Sequence, residues 1–118
     1  MKKIIKRLAT YVVTLYAQNL YNKAVRKAEE RHQEEHTMIY VVSALNDVSR
    51  LGLYNRKQFR AMKRVCGITD PNYSVREMKD GAWYHTVDGG GKNGLSPVDR
   101  EARRLVFIQH ILKRAKLA

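Results

Sequence analysis

MIYVVSALNDVSRLGLYNRKQF, residues 38–59, is the stretch that decides the fold class. Its first six residues are short, apolar and β-branched, which reads as a buried strand. Asn46 and Asp47 carry turn chemistry, because their short polar side chains bond to nearby backbone. LGLY, residues 51–54, then reads as the returning strand of a hairpin. Asn55 opens a helix with Gln58 three residues on, an arrangement in which each side chain satisfies the other's backbone N–H. A hairpin running straight into a helix predicts an α+β domain: a small two- or three-stranded sheet packed with three main helices.

Upstream, Lys3 to His36 contains neither Pro nor Gly and reads as one long helix. Two rows at four-residue spacing are almost wholly apolar. One is Ile5, Ala9, Val13, Ala17, Tyr21, Val25; the other is Leu8, Val12, Tyr16, Leu20, Ala24, Ala28. The first half is therefore expected to be apolar over much of its circumference, with Thr10, Thr14 and Gln18 as a narrow polar line. Such a helix is laid across the core, or it also docks on a partner chain through Val13, Tyr16 and Leu20. KAEERHQEEHT, which ends it, reads as polar and solvated. The basic start and apolar centre of this segment resemble a signal peptide, but Thr and Tyr dilute the centre and no A-x-A-like cleavage site follows. The apolar run is also too short for a membrane span, which takes roughly 20 residues.

Downstream, RKQFRAMKRVC puts Phe59, Met62, Val65 and Cys66 on one face, and Gly67 ends that helix. TDPN reads as a turn, and SVREMKDG as a short capped helix from Ser74, with Glu77 as box partner and Gly81 as terminator. AWYHTV is a strand candidate, with Trp83 and His85 on one face and Tyr84 and Thr86 on the other. Ser96 caps a last helix with Pro97 at its first position and Asp99 in its first turn. That helix runs to about Lys116 and is expected to bury Val98, Ala102, Leu105, Ile108 and Leu112. No repeat or linker divides the 118 residues, which form one domain.

The motifs that suggest chemistry fail on inspection. DGGGKNGLSP, residues 88–97, resembles a phosphate loop, yet aligning a Walker pattern on Gly91 and Lys92 puts Asn93 where Ser or Thr must bind magnesium. Thr86 then stands where the first glycine belongs. Gly89, Gly91 and Gly94 spell a dinucleotide pattern, but Pro97 follows too closely and no βαβ unit surrounds it. The expectation is an exposed, flexible loop whose amides and Lys92 are available to a phosphate. His32 and His36 have the spacing of a zinc-protease pair, but Gln33 replaces the glutamate that must act as base. No third ligand is evident in His85, His110 or Cys66, and no nucleophile has a recognisable neighbourhood. No cofactor, metal site or catalytic residue is assigned, and the chain reads as non-enzymatic.

Charge is the remaining signal. The chain carries 23 Lys and Arg against 11 Asp and Glu, a net charge of +12. That predicts a polyanionic partner: nucleic acid, an acidic membrane surface or an acidic protein face. A single cysteine forms no internal disulfide, which suits a reducing compartment. Residues 1–28 hold seven cations and no acid. The helix from residue 56 holds Arg56, Lys57, Arg60, Lys63 and Arg64, again with no acid. Like charges at i, i+4 there cost a few tenths of a kcal/mol each, which a polyanion would offset. Arg100, Arg103 and Arg104 form a second cluster. If both clusters and Lys92 face one way, six to eight phosphate contacts follow, without base-specific readout.

KAVRKAEERH, MIYVV, YNRKQFRAMKR and AWYHT, followed by a glycine-bearing loop and a basic last helix, together resemble small basic proteins of uncertain function. Those proteins are encoded by Bacteroidota and their crAss-like bacteriophages, and the resemblance spans most of residues 20–114. It implies no catalytic residue. It implies a phage setting, as a virion or genome-associated component in the cytoplasm or within a phage particle. The expected function is thus binding of nucleic-acid backbone. The alternative is a structural protein, capsid- or portal-associated, whose main contacts are with other protein subunits.

Overall fold

The computed structural model of the chain describes residues 2–44, 47–65 and 79–117, and among these not the side chains of 2, 44, 47, 48 and 62–65. It is an α+β fold in the order α1 (Lys2–Glu35), β1 (Tyr40–Ala44), β2 (Asp47–Tyr54), α2 (Arg56–Val65), β3 (Tyr84–His85) and α3 (Pro97–Arg114). The readings at Asn46, Cys66, Gly67, the TDPN turn, Ser74 and Glu77 lie outside the described residues. Residues 79–81 are helical and stop at Gly81, where a helix end was expected.

The three strands form an antiparallel sheet in the order β2-β1-β3. Tyr40 faces Tyr54 and Val41 faces Leu53 on one side; His85 and Tyr84 face the same two residues on the other. The register shifts between Ser43 and Ala44, and Ala44 pairs with Asp47. Asp47 is therefore already paired, as the first residue of β2, and the returning strand is longer than LGLY. β3 is shorter than AWYHTV suggested. Backbone bonds beyond its ends still hold the segment to β1: Trp83 donates to the Val41 carbonyl (2.9 Å) and Thr86 to that of Ile39 (3.0 Å).

Because successive strand residues point to opposite faces, β1 supports two layers. Ile39 and Val41 are fully buried against α1 and α3, together with Tyr84, Phe107, Ile108, Ile111 and Leu112. Tyr40 turns the other way and packs with Phe59 of α2 and Ala82. The sheet is thus covered by α1 and α3 on one face and by α2 on the other. Both faces of the β3 region are filled rather than one packed and one wet, since Tyr84, His85 and Thr86 are all buried. Trp83, just outside the ladder, escapes its alternation. Its ring meets Phe107 (5.3 Å between centroids) and His110 (5.4 Å), while His85 lies beside Tyr40.

α3 begins as expected, with Asp99 N–H donating to Ser96 Oγ (3.1 Å) and Pro97 at the start. Ile108 and Leu112 are buried as expected, together with Phe107 and Ile111, whereas Val98, Ala102 and Leu105 are exposed. The C-terminal half of α3 lies on the sheet, so only apolar residues there are covered.

α1 has 34 residues, about 50 Å at 1.5 Å per residue, close to the molecule's longest extent of 52 Å. Ala17, Tyr21, Ala24, Val25 and Ala28 form its buried face. The small residues there admit close approach of sheet and α3. Its first half behaves otherwise. Ile4, Ile5, Leu8, Tyr11, Val12, Leu15 and Tyr16 are between 41% and 64% exposed. At about 100° per residue these seven fall within an arc of about 140°, on nearly the opposite side of the helix from the buried face. The apolar side of α1 changes over near Ala17. The first half is therefore not laid across the core, and it is not apolar all round.

Candidate nucleic-acid interface

α2 is positioned from its first residue. Gln58 N–H donates to Asn55 Oδ1 (2.7 Å), and Asn55 N–H donates to Gln58 Oε1 (3.1 Å), the reciprocal box expected from the sequence. Phe59, 3% exposed, pins the helix to the sheet. Arg56, Lys57 and Arg60 are consequently exposed. Lys63 and Arg64 continue the helix, but their side chains lie outside the described residues.

A second support comes from α1. Arg31 donates from Nη1 to the Leu53 carbonyl (2.9 Å), from Nη2 to Gln58 Oε1, and from Nε to Glu35. Glu35 in turn accepts from Asn55 Nδ2 (3.0 Å). The hydrogen bonds from Arg31 and Asn55 hold its carboxyl below the ordinary glutamate range. One guanidinium therefore ties the end of α1 to the last turn of β2 and the cap of α2. The neighbouring polar residues are also engaged. Tyr84 donates its hydroxyl to Glu29, and His32 Nδ1 lies 2.7 Å from the Thr37 carbonyl. KAEERHQEEHT is largely exposed, as expected, but Glu29, Arg31 and Glu35 also connect helix to sheet.

Arg56, Lys57 and Arg60 line a cleft of about 1140 Å³ together with Lys79. Tyr40 and Met38 also border it, as do Asp88, Gly89 and Asn93 of the glycine loop. Lys79 was not singled out from the sequence. It sits in SVREMKDG with acids on both sides, and no periodicity marks it.

The glycine loop is organised by its own carboxylate. Gly90 and Lys92 N–H both donate to Asp88 Oδ1 (2.9 Å each), and Asn93 Nδ2 donates to Oδ2 (2.8 Å). Asp88 N–H closes the turn on the Lys92 carbonyl (2.7 Å), and Gly91 and Asn93 take positive φ values of 78° and 64°. These bonds, led by the Lys92 amide, hold the Asp88 carboxyl below its usual range. The Gly90 and Lys92 amides, two of those a phosphate would need, are thus satisfied by a carboxylate. The loop is held by its own hydrogen bonds, and the Lys92 side chain is exposed.

The second cationic cluster does not join the first. α3 lies on the face of the sheet opposite to α2, and its arginines have internal partners. Arg103 donates to the carbonyls of Lys79 (3.1 Å) and Ala82 (2.7 Å). Arg104 pairs with Glu101, and the Arg100 guanidinium lies 5.6 Å from the Tyr84 ring centre. Val13 and Leu20 pack against the core, so of the three α1 residues expected to face a partner only Tyr16 is exposed, at 55%.

His85 is 3% exposed, and burial lowers its pKa, favouring neutral imidazole; its Nδ1 lies 3.1 Å from the Thr86 carbonyl. Among the described residues no group of three His, Cys, Asp or Glu is placed to hold a metal ion. No helix among them is long and apolar enough to cross a membrane. No protein family model, curated protein or solved structure matches the chain.

Proposed function

We propose that this chain is a non-enzymatic basic protein that binds the phosphate backbone of nucleic acid along α2. The observation that carries this reading is the cleft wall of Arg56, Lys57, Arg60 and Lys79, held outward by the Phe59 anchor and the Arg31 clamp. α2 contains no acid to neutralise its cations. Asp88, on the loop side of the cleft, is enclosed by its own loop's donors. Lys63 and Arg64 extend the same helix by a further turn. Backbone contact by point charges and guanidinium forks gives affinity without sequence readout.

The test is a fluorescence anisotropy titration of labelled duplex and single-stranded DNA over a salt series. Four phosphate contacts predict a log–log salt slope of about −3.5 on duplex. Arg56→Glu with Arg60→Glu should remove about two units of that slope and weaken binding at least roughly ten-fold. Arg104→Glu, on the opposite face, should leave both nearly unchanged. Absence of binding at low salt, or binding indifferent to the α2 reversal, refutes the reading.

A further inference from the structure

We propose that the first half of α1 lies in the plane of an anionic lipid surface, with the folded domain on the water side. The inference is independent of the α2 reading and uses the opposite end of α1. Ile4, Ile5, Leu8, Val12 and Leu15 form the middle of the outward arc, and each is at least 41% exposed. Tyr11 and Tyr16, 64% and 55% exposed, stand at its two borders. Tyrosine suits such a border, since its ring is apolar and its hydroxyl wants a wet partner. The same segment adds Lys3, Lys6 and Arg7, all exposed and all away from the arc. An amphipathic helix with cations on its polar side is the kind that settles at the boundary of headgroups and acyl chains.

Three observations favour lipid over a protein occupant. The arc spans about 140°, wider than the narrow seam along which two helices pair. Residues 1–28 contain no acid, so a second copy of this chain offers these cations no opposite charge there. Beyond Ala17 the same outward side continues with Asn22, Lys23 and Arg26, all exposed. That side of α1 is thus apolar over the first half and carries cations just beyond it, where they meet anionic headgroups beside the inserted segment. The change of apolar side near Ala17 also puts the domain core behind the helix, clear of the surface. The segment is too short and too polar to span.

The experiment is sedimentation of the full chain with vesicles of phosphatidylcholine and phosphatidylglycerol, 3:1 as a working ratio of about physiological anionic content, against pure phosphatidylcholine vesicles. Binding should favour the anionic vesicles by roughly ten-fold or more. Leu8→Gln with Val12→Gln should weaken it roughly 100-fold while leaving the far-ultraviolet circular dichroism and the melting temperature unchanged. Arg56→Glu with Arg60→Glu should leave most of the vesicle binding in place, whatever it does to DNA binding. Equal binding by parent and Leu8→Gln/Val12→Gln proteins, which carry the same charge, overturns the proposal, because charge alone would then account for the interaction. Absence of vesicle binding overturns it as well. So does a dimer in sedimentation equilibrium that the same pair of substitutions abolishes, which would give the face to a second copy.

Discussion

Replacing Arg31 with Ala tests whether the polar end of α1 holds the fold together or merely sits in water. The guanidinium makes two long-range bonds, to the Leu53 carbonyl and to Gln58 Oε1, besides its pairing with Glu35. The Glu35 pair is partly exposed and spaced i, i+4, so it contributes only about 0.3–0.5 kcal/mol. Each long-range bond has a charged donor, for which about 1.5 kcal/mol is the lower end of the usual range. Partial exposure of the Arg31 side chain, 23%, keeps the estimate at that lower end. Loss of all three should cost about 3 kcal/mol. For a domain of this size that is a fall in melting temperature of roughly 10 °C. Arg31→Lys keeps the charge but not the fork and should recover less than half of the loss. Urea unfolding followed by circular dichroism measures these differences, with Arg26→Ala as an exposed control expected within about 0.5 kcal/mol of the parent. A cycle with Gln58→Ala should show about 1 kcal/mol of coupling. An Arg31→Ala protein as stable as the control refutes the clamp.

Two further outcomes follow from the same contacts. Burial raises the Tyr21 pKa to about 12 despite the pull of nearby arginines, and burial together with the bond to Glu29 raises that of Tyr84. Both groups favour the folded state while protonated, so their contribution is complete below about pH 10, the unfolded value, and is lost as pH rises through the folded values. A spectrophotometric alkaline titration should show these two tyrosines ionising with unfolding, and Tyr84→Phe should remove one of them; ionisation of all tyrosines near pH 10 in an intact fold refutes this. Gly89→Ala would place a methyl group 2.5 Å from the His36 carbonyl oxygen, where α1 ends with φ of 54°. That backbone must yield, at a cost of about 1–3 kcal/mol seen in thermal unfolding, whereas Gly81→Ala meets nothing within 4 Å and should be nearly neutral.

Much of the local structure was legible because its causes are local. The Asn55–Gln58 box, the Ser96 cap and the alternation of Ile39, Tyr40 and Val41 each depend on residues within a turn or a strand. The exposed cations of α2 followed from the apolar face read at Phe59, Met62, Val65 and Cys66, since an apolar stripe on a short helix fixes which side is wet. Reading rows at four-residue spacing, however, hid the change of apolar side in α1. Such rows drift round the helix, so an inward Tyr21 and an outward Ile5 appear as members of one line.

The α+β class, the order of the elements, their caps and the concentration of positive charge in α1 and α2 are written along the chain. Which of those charges can meet a ligand depends on the packing of elements distant in sequence. Arg103 looks like Arg60 in sequence, yet the close approach of 79–82 turns it onto two backbone carbonyls. Asp88 looks like any loop carboxylate until three donors converge on it from its own turn. The sheet divides the two basic helices between its faces, because a strand alternates its side chains and each helix must cover one set of them. Partners of this kind are set by distances across the fold, which no spacing along the chain records.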